Sequence, residues 1–211
     1  MRKTHVVFVA LLIGTMPILA EAQTTAPRFF AGAGIGFGID DAVERFTSLY
    51  PGVSDTFVRA WLADGGGWVT PRVAIGAELF RPPEITARVS RSVQVLDETE
   101  RETALLATLR IRPFGGRIVA VDALGGGGLL ITSRQLSGRL FLPSQNESFS
   151  PSESATTSTF VGGVDLTLHV ARHWDIAPLV RLYRFNRDVT GSMIDHSSNH
   201  FIFGFITRAT W

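Results

Sequence analysis

Apolar residues return at every second position through most of this chain, the spacing of strands with two unlike faces. In segment 28–40, RFFAGAGIGFGID, Phe29, Ala31, Ala33, Ile35 and Phe37 share one face. Phe30, Gly32, Gly34, Gly36 and Gly38 share the other. The same alternation runs through 56–63, with Val58, Ala60 and Leu62 opposite Arg59 and Trp61. It recurs in 72–81 (Val73, Ile75, Ala77 and Leu79 against Gly76 and Glu78) and in 104–112 (Leu105, Ala107, Leu109 and Ile111 against Thr108, Arg110 and Arg112). Segment 117–132 sets Val119, Val121 and Ala123 across from Asp122, and its run Gly125–Gly128 reads as a bend or bulge. Segment 160–170 opposes Phe160, Val164, Leu166 and Leu168 to Gly163, Asp165, Thr167 and His169. Segment 175–185 opposes Ile176, Val180 and Leu182 to Arg181 and Tyr183. The eighth segment, FIFGFITRATW, carries Phe201, Phe203 and Phe205 in strict alternation and closes on Trp211.

The links between these strands alternate in length. Short, turn-rich ones are expected near Gly65–Pro71, Pro113–Gly116 and Ala171–Trp174. Long polar ones are expected over Asp40–Asp55, Pro82–Glu102, Ser133–Ser158 and Arg187–Asn199, with the low-complexity run 143–158 reading as a mobile loop. Loops of that length count against a compact soluble domain. Short turns on one side and long loops on the other are the layout of an eight-stranded, antiparallel, up-and-down transmembrane β-barrel, with both termini on the short-turn side. A soluble sandwich or lipocalin-like barrel would give the same alternation turned inside out. The face it would need as a core is rich in glycine and charge, too poor for that purpose.

Composition narrows the setting. Arg2 and Lys3 precede an apolar stretch from Val6 to about Ala20, and Ala20 and Ala22 form an A-x-A site. Residues 1–22 therefore read as a secretory signal peptide cleaved before Gln23, leaving 23–211 as one barrel domain. There is no cysteine, hence no lipoprotein attachment site, disulfide or thiolate metal site. The 20 Lys+Arg against 19 Asp+Glu leave no basic field for nucleic acid. Lys3 is the only lysine, so every cation after the signal segment is an arginine, suited to fixed pairing with carboxylates and phosphates. The glycines of the first strand are no nucleotide loop, because the alternation runs through them and no helix follows.

With Phe201, Phe203, Phe205 and the terminal Trp211, the chain resembles the small eight-stranded outer-membrane barrels of the OmpA/OmpW/OmpX superfamily. Those residues match the aromatic-ended signal such barrels show to the barrel assembly machinery, although Phe is the usual last residue. The resemblance implies a bacterial outer-membrane location, periplasmic termini, contact with outer-membrane lipid and lipopolysaccharide, a monomer, and no cofactor. Three functions are in view: a non-enzymatic envelope or surface role, a narrow OmpW-like pore for small solutes, and an enzyme. The last rests on His196-x-Ser198-Asn199, which is similar to the HxSN motif of PagL-type lipid A deacylases. There the His would act as base on the Ser hydroxyl, with an acid orienting the ring. The acid expected about a dozen residues later is Thr210 here, and Asp195 is a makeshift substitute. Asp195, His196 and His200 have no ligand spacing that defines a metal site.

With the apolar faces outward, the opposite faces collect Arg59, Glu78, Arg110, Asp122, Asp165 and Arg181. All but Arg110 lie about five to seven residues from the short turns, a common level at ~3.3 Å per residue. Neighbouring strands would pair Arg59 with Glu78 and Asp165 with Arg181, and the expectation is a connected network that plugs the lumen.

Overall fold

The computed structural model describes residues 29–40, 57–91, 94–141, 146–186 and 197–211. The expected signal peptide, most of the Asp40–Asp55 loop, residues 143–145, and 187–196 of the last expected loop, with Asp195 and His196, lie outside the described residues. The strands are β1 (Phe29–Asp40), β2 (Phe57–Thr70), β3 (Val73–Arg81), β4 (Ile85–Arg91), β5 (Gln94–Gly115), β6 (Val119–Phe141), β7 (Asn146–Phe149), β8 (Ser152–Ala171), β9 (Trp174–Asn186) and β10 (Ser197–Thr210). Eight of them pair antiparallel in a closed ring, β1-β2-β3-β5-β6-β8-β9-β10, with β10 returning to β1.

The two short strands continue the wall beyond breaks made by proline. Pro82 and Pro83 follow β3, and β4 then resumes pairing along the upper half of β5. Pro151 separates β7 from β8, and both run along β6. A residue without an N–H cannot donate to the ladder, so the breaks fall where the sequence demands them. Much of the expected loops Pro82–Glu102 and Ser133–Ser158 is therefore strand, including 146–149 and 152–158 of the polar run. The Gly125–Gly128 run is not a bulge either: β6 stays in unbroken register there with both β5 and β8. Gly128 faces inward, and a Cβ on it would collide with the Leu105 carbonyl, so glycine serves close strand approach. The first short turn is likewise tighter than expected, because β2 continues through Gly65–Gly67 to Thr70.

The belt is apolar outside, and the lumen behind it holds buried charges together with an apolar cluster. On β5 the exposed face runs from Leu105 through Leu109 and Ile111 to Phe114. Ten residues at ~3.3 Å, tilted about 40°, give a belt of roughly 25 Å, the height of the lipid-facing band of such a barrel. Above it the exposed face turns polar at Thr103 and Arg101 on β5 and Ser158 and Thr156 on β8. From Arg101 to Gln94, about 26 Å of β5 continues past the belt, paired on both edges. Exposed aromatics rim the belt: Trp61, Phe160 and Phe201 above, and Phe29, Phe114, Trp174 and Trp211 below. The lower rim holds the three tight turns together with both described chain ends. There Trp211 N donates to Phe29 O at 3.2 Å, Phe29 N to Trp211 O at 3.0 Å, and Thr210 N to His173 O at 2.9 Å.

Candidate functional site: the charged lumen

Strand alternation forces the residues opposite the apolar belt into the lumen, where charge can persist only in pairs. Asp64 on β2, Arg110 on β5, Asp165 on β8 and Arg208 on β10 form a closed ionic ring, one member from each alternate strand of the wall. Arg110 donates to Asp64 at 2.8 Å and also to Asp165. Arg208 donates to Asp64 at 2.9 Å and to Asp165 at 2.6 Å. Asp165 accepts a third guanidinium, Arg181 on β9, and both side chains are 0% exposed.

Arg181 also spans the barrel to Glu78 on β3, four strands away, at 3.2 Å. The Tyr183 hydroxyl donates to the other oxygen of that carboxylate at 2.6 Å. Toward the turns, Arg112 makes a bidentate pair with Asp122 at 2.7 and 3.0 Å, and Thr167 donates to the same carboxylate at 3.0 Å. Aromatic rings floor these cations: Arg112 lies 4.1 Å from the Trp68 centroid, and Arg110 and Arg208 lie 5.2 and 5.8 Å from Phe30. His169 and Asp175 add a pair at 2.8 Å near the rim. The cavity left among Phe30, Trp68, Arg110, Asp122 and Arg208 is about 10 Å³, room for roughly one water.

An aromatic layer covers the ions from above. Phe80 on β3 stacks on Tyr183 across the lumen, with centroids 3.9 Å apart and planes at 18°. Phe185 and His200 stand 4.3 Å apart beside them. Ser198 Oγ and His200 Nε2 share a hydrogen bond of 3.1 Å, because residues two apart on a strand face the same way.

The structure thus places Glu78, Arg110, Asp122, Asp165 and Arg181 inside the lumen, while Arg59 is not there. Arg59 is exposed on the outer face, 5.9 Å from the Phe37 ring, and the acid expected to meet it binds Arg181 and Tyr183 instead. On β2 the inward set is Ala60, Leu62 and Asp64, so Ala60 and Leu62, expected on the lipid side, line the lumen. The expectation also missed Asp64, Arg112, Tyr183 and Arg208, although Arg208 shares parity with Ile202 and Ile206, opposite the exposed phenylalanines of β10. Phe201, Phe203, Phe205 and Trp211 are exposed, Trp211 to 60%. The partner of Ser198 is His200, and the hydroxyl faces the lumen, away from any lipid acyl chain outside the wall. Among the described residues no three His, Asp or Glu side chains are grouped to hold a metal.

No protein-family model and no curated protein matches the sequence. Solved structures do match in shape. Ail, the attachment invasion locus protein of Yersinia pestis, in its complex with the heparin analogue sucrose octasulfate, aligns at 12% identity and a TM-score of 0.51, over 87% of this chain and 99% of that one. Neisserial surface protein A aligns at 11% identity and 0.46, over 87% and 97%. OprG from Pseudomonas aeruginosa aligns at 13% identity and 0.42, over 87% and 96%. With its closed eight-stranded ring, apolar belt and ion-filled lumen, this chain has the fold of the small eight-stranded bacterial outer-membrane β-barrels, as the OmpA/OmpW/OmpX-like resemblance implies.

Proposed function

We propose that this protein is a non-enzymatic outer-membrane barrel that conducts little or nothing and presents its extended hairpins at the cell surface, in an envelope or contact role. The observation that carries the reading is the ionic layer crossing the lumen from β3 to β9 and from β2 to β8 by way of β5 and β10. A solute would have to break several buried charge-assisted hydrogen bonds, each worth about 1.5–3 kcal/mol. The tight-turn rim faces the periplasm in this reading, and the β5–β6 hairpin stands on the lipopolysaccharide side. Trp211, at the β1–β10 seam, serves as the signal for the assembly machinery, and the barrel works as a monomer without a cofactor.

Orientation is testable directly because the chain has no cysteine. Ser154→Cys, on the exposed upper part of β8, should react with a membrane-impermeant maleimide on intact cells. Ala171→Cys, at the exposed last residue of β8 beside the β8–β9 turn, should react only after the outer membrane is opened. The reverse pattern overturns the orientation, and large, stable conductance steps from purified protein in a planar bilayer overturn the closed lumen.

A further inference from the structure

Each tight turn at the lower rim carries one exposed arginine: Arg72 between β2 and β3, Arg117 between β5 and β6, and Arg172 between β8 and β9. Segments 69–73, 113–119 and 170–174 contain no Asp or Glu. Among the described residues none of the three guanidiniums meets a carboxylate. The far end of the barrel differs, for it mixes both signs and pairs Arg101 with Glu84 at 2.5 Å. Among the described residues the three tight turns therefore carry charge of one sign on stiff backbone, and the acid nearest to them in sequence, Asp175, is buried and paired with His169. Thr70 Oγ1 accepts from Arg72 N and Val73 N at 3.2 and 3.0 Å, Arg72 O accepts from Arg112 N at 2.8 Å, and Gly116 N donates to Val119 O at 2.8 Å.

Beside each arginine stands exposed apolar surface: Val69 by Arg72, Ile118 by Arg117, and Trp174 by Arg172. Three separate places that each join a bidentate anion donor to an apolar neighbour, at the edge of a lipid-facing belt, match a phosphodiester with hydrocarbon behind it. A soluble polyanion would use the charge and leave the apolar half idle.

We propose that the turn-side rim binds the phosphate groups of anionic phospholipids through Arg72, Arg117 and Arg172. The proposal rests on this rim lying at the phospholipid leaflet. The assay below measures headgroup preference wherever the rim lies, whereas the cysteine labelling measures orientation alone, so either can fail without the other. Protein purified from outer membranes is mixed with micelles containing phosphatidylglycerol or phosphatidylcholine of equal chain length, and retained lipid is counted by native mass spectrometry. The wild type should prefer phosphatidylglycerol by roughly fivefold per arginine engaged, and R72Q/R117Q/R172Q should lose that preference. Should the triple variant fail to fold, chain-brominated lipids test the wild type alone: the phosphatidylglycerol form should quench tryptophan more strongly, and added salt should erase the difference. Equal retention of the two lipids, equal quenching, or full displacement by an equal concentration of glycerol phosphate overturns the proposal.

Discussion

Asp165 is the residue on which the lumen depends most, and replacing it with alanine measures whether the ionic layer is dry. The carboxylate accepts from Arg110, Arg181 and Arg208. Each guanidinium keeps one other acid after the change, Asp64 for Arg110 and Arg208 and Glu78 for Arg181. None is stranded outright, but a connected network of three carboxylates (Asp64, Glu78, Asp165) and three arginines (Arg110, Arg181, Arg208) becomes one of two against three. Both Asp165 and Arg181 are fully buried, so the uncompensated charge is left away from bulk water. Breaking a buried pair costs about 3–5 kcal/mol, roughly a hundredfold or more in the folding equilibrium. Urea unfolding in lipid vesicles, followed by tryptophan fluorescence, should report that loss, with an earlier heat-induced mobility shift on gels. Glu84→Ala is the control: its pair with Arg101 is as short, but the side chains are 61% and 40% exposed, so its cost should stay below about 1 kcal/mol. Equal costs for the two variants would mean that the lumen charges are independently hydrated, and the plug would be gone as an explanation.

Other variants probe separate links. Asp64→Ala should cost several times more stability than Arg59→Ala in the same unfolding assay, since only Asp64 lies in the ionic ring; the opposite order would put β2 in the other phase. Glu78→Ala should remove the acid shared by Arg181 and Tyr183 and raise conductance in planar bilayers above a wild type that is silent or nearly so. Gly34→Val, whose Cβ would strike the Phe205 carbonyl across the β1–β10 seam, should lower the yield of closed barrel on refolding, and a normal yield would show that the seam has slack. Deleting Trp211 should reduce surface levels, which unchanged amounts in outer-membrane fractions would refute. Purified wild type should release no 3-hydroxy fatty acid from lipid A, and clear release would reopen the enzyme reading.

The wall was legible in the sequence wherever a strand crosses hydrocarbon, because there the physics rewards strict alternation. It was least legible above the belt. Segments 94–102, 133–141 and 152–158 are strand, yet their sequence puts polar residues at both parities, so no apolar face marks them. Their order comes from pairing: β5 and β6 carry the same ladder from Ile111–Ala123 up to Gln94–Leu140. Pro82, where a loop was expected to start, and Pro151, inside the expected loop Ser133–Ser158, interrupt only one strand of each pair while the partner runs on. The glycine run misled for a related reason. In a narrow barrel, glycine within a strand lets neighbouring chains approach, which its rarity in soluble sheets does not suggest.

The candidate site turned on phase, and β2 shows why phase is hard to read from hydrophobicity alone. Val58, Ala60 and Leu62 look like a lipid-facing stripe, with Arg59 and Trp61 opposite. Arg59 and Trp61 are exposed near the upper edge of the belt, where an amphipathic side chain can reach the headgroups. Leu62 points inward because the lumen between the ionic layer and the surface is itself apolar, filled by Leu62, Leu106, Leu130 and Phe80. Hydropathy therefore does not separate the two faces near that edge. Asp64 does. It shares parity with Leu62 and sits deeper in the strand, where a carboxylate facing lipid would have no partner, so Asp64 must face the lumen and Arg59 cannot. The charge nearest mid-belt sets the phase of its strand, and residues nearer the interface follow it. Arg208 obeys the same rule on β10: with the phenylalanines outward, its guanidinium had nowhere to go but the ring that Asp64, Arg110 and Asp165 complete.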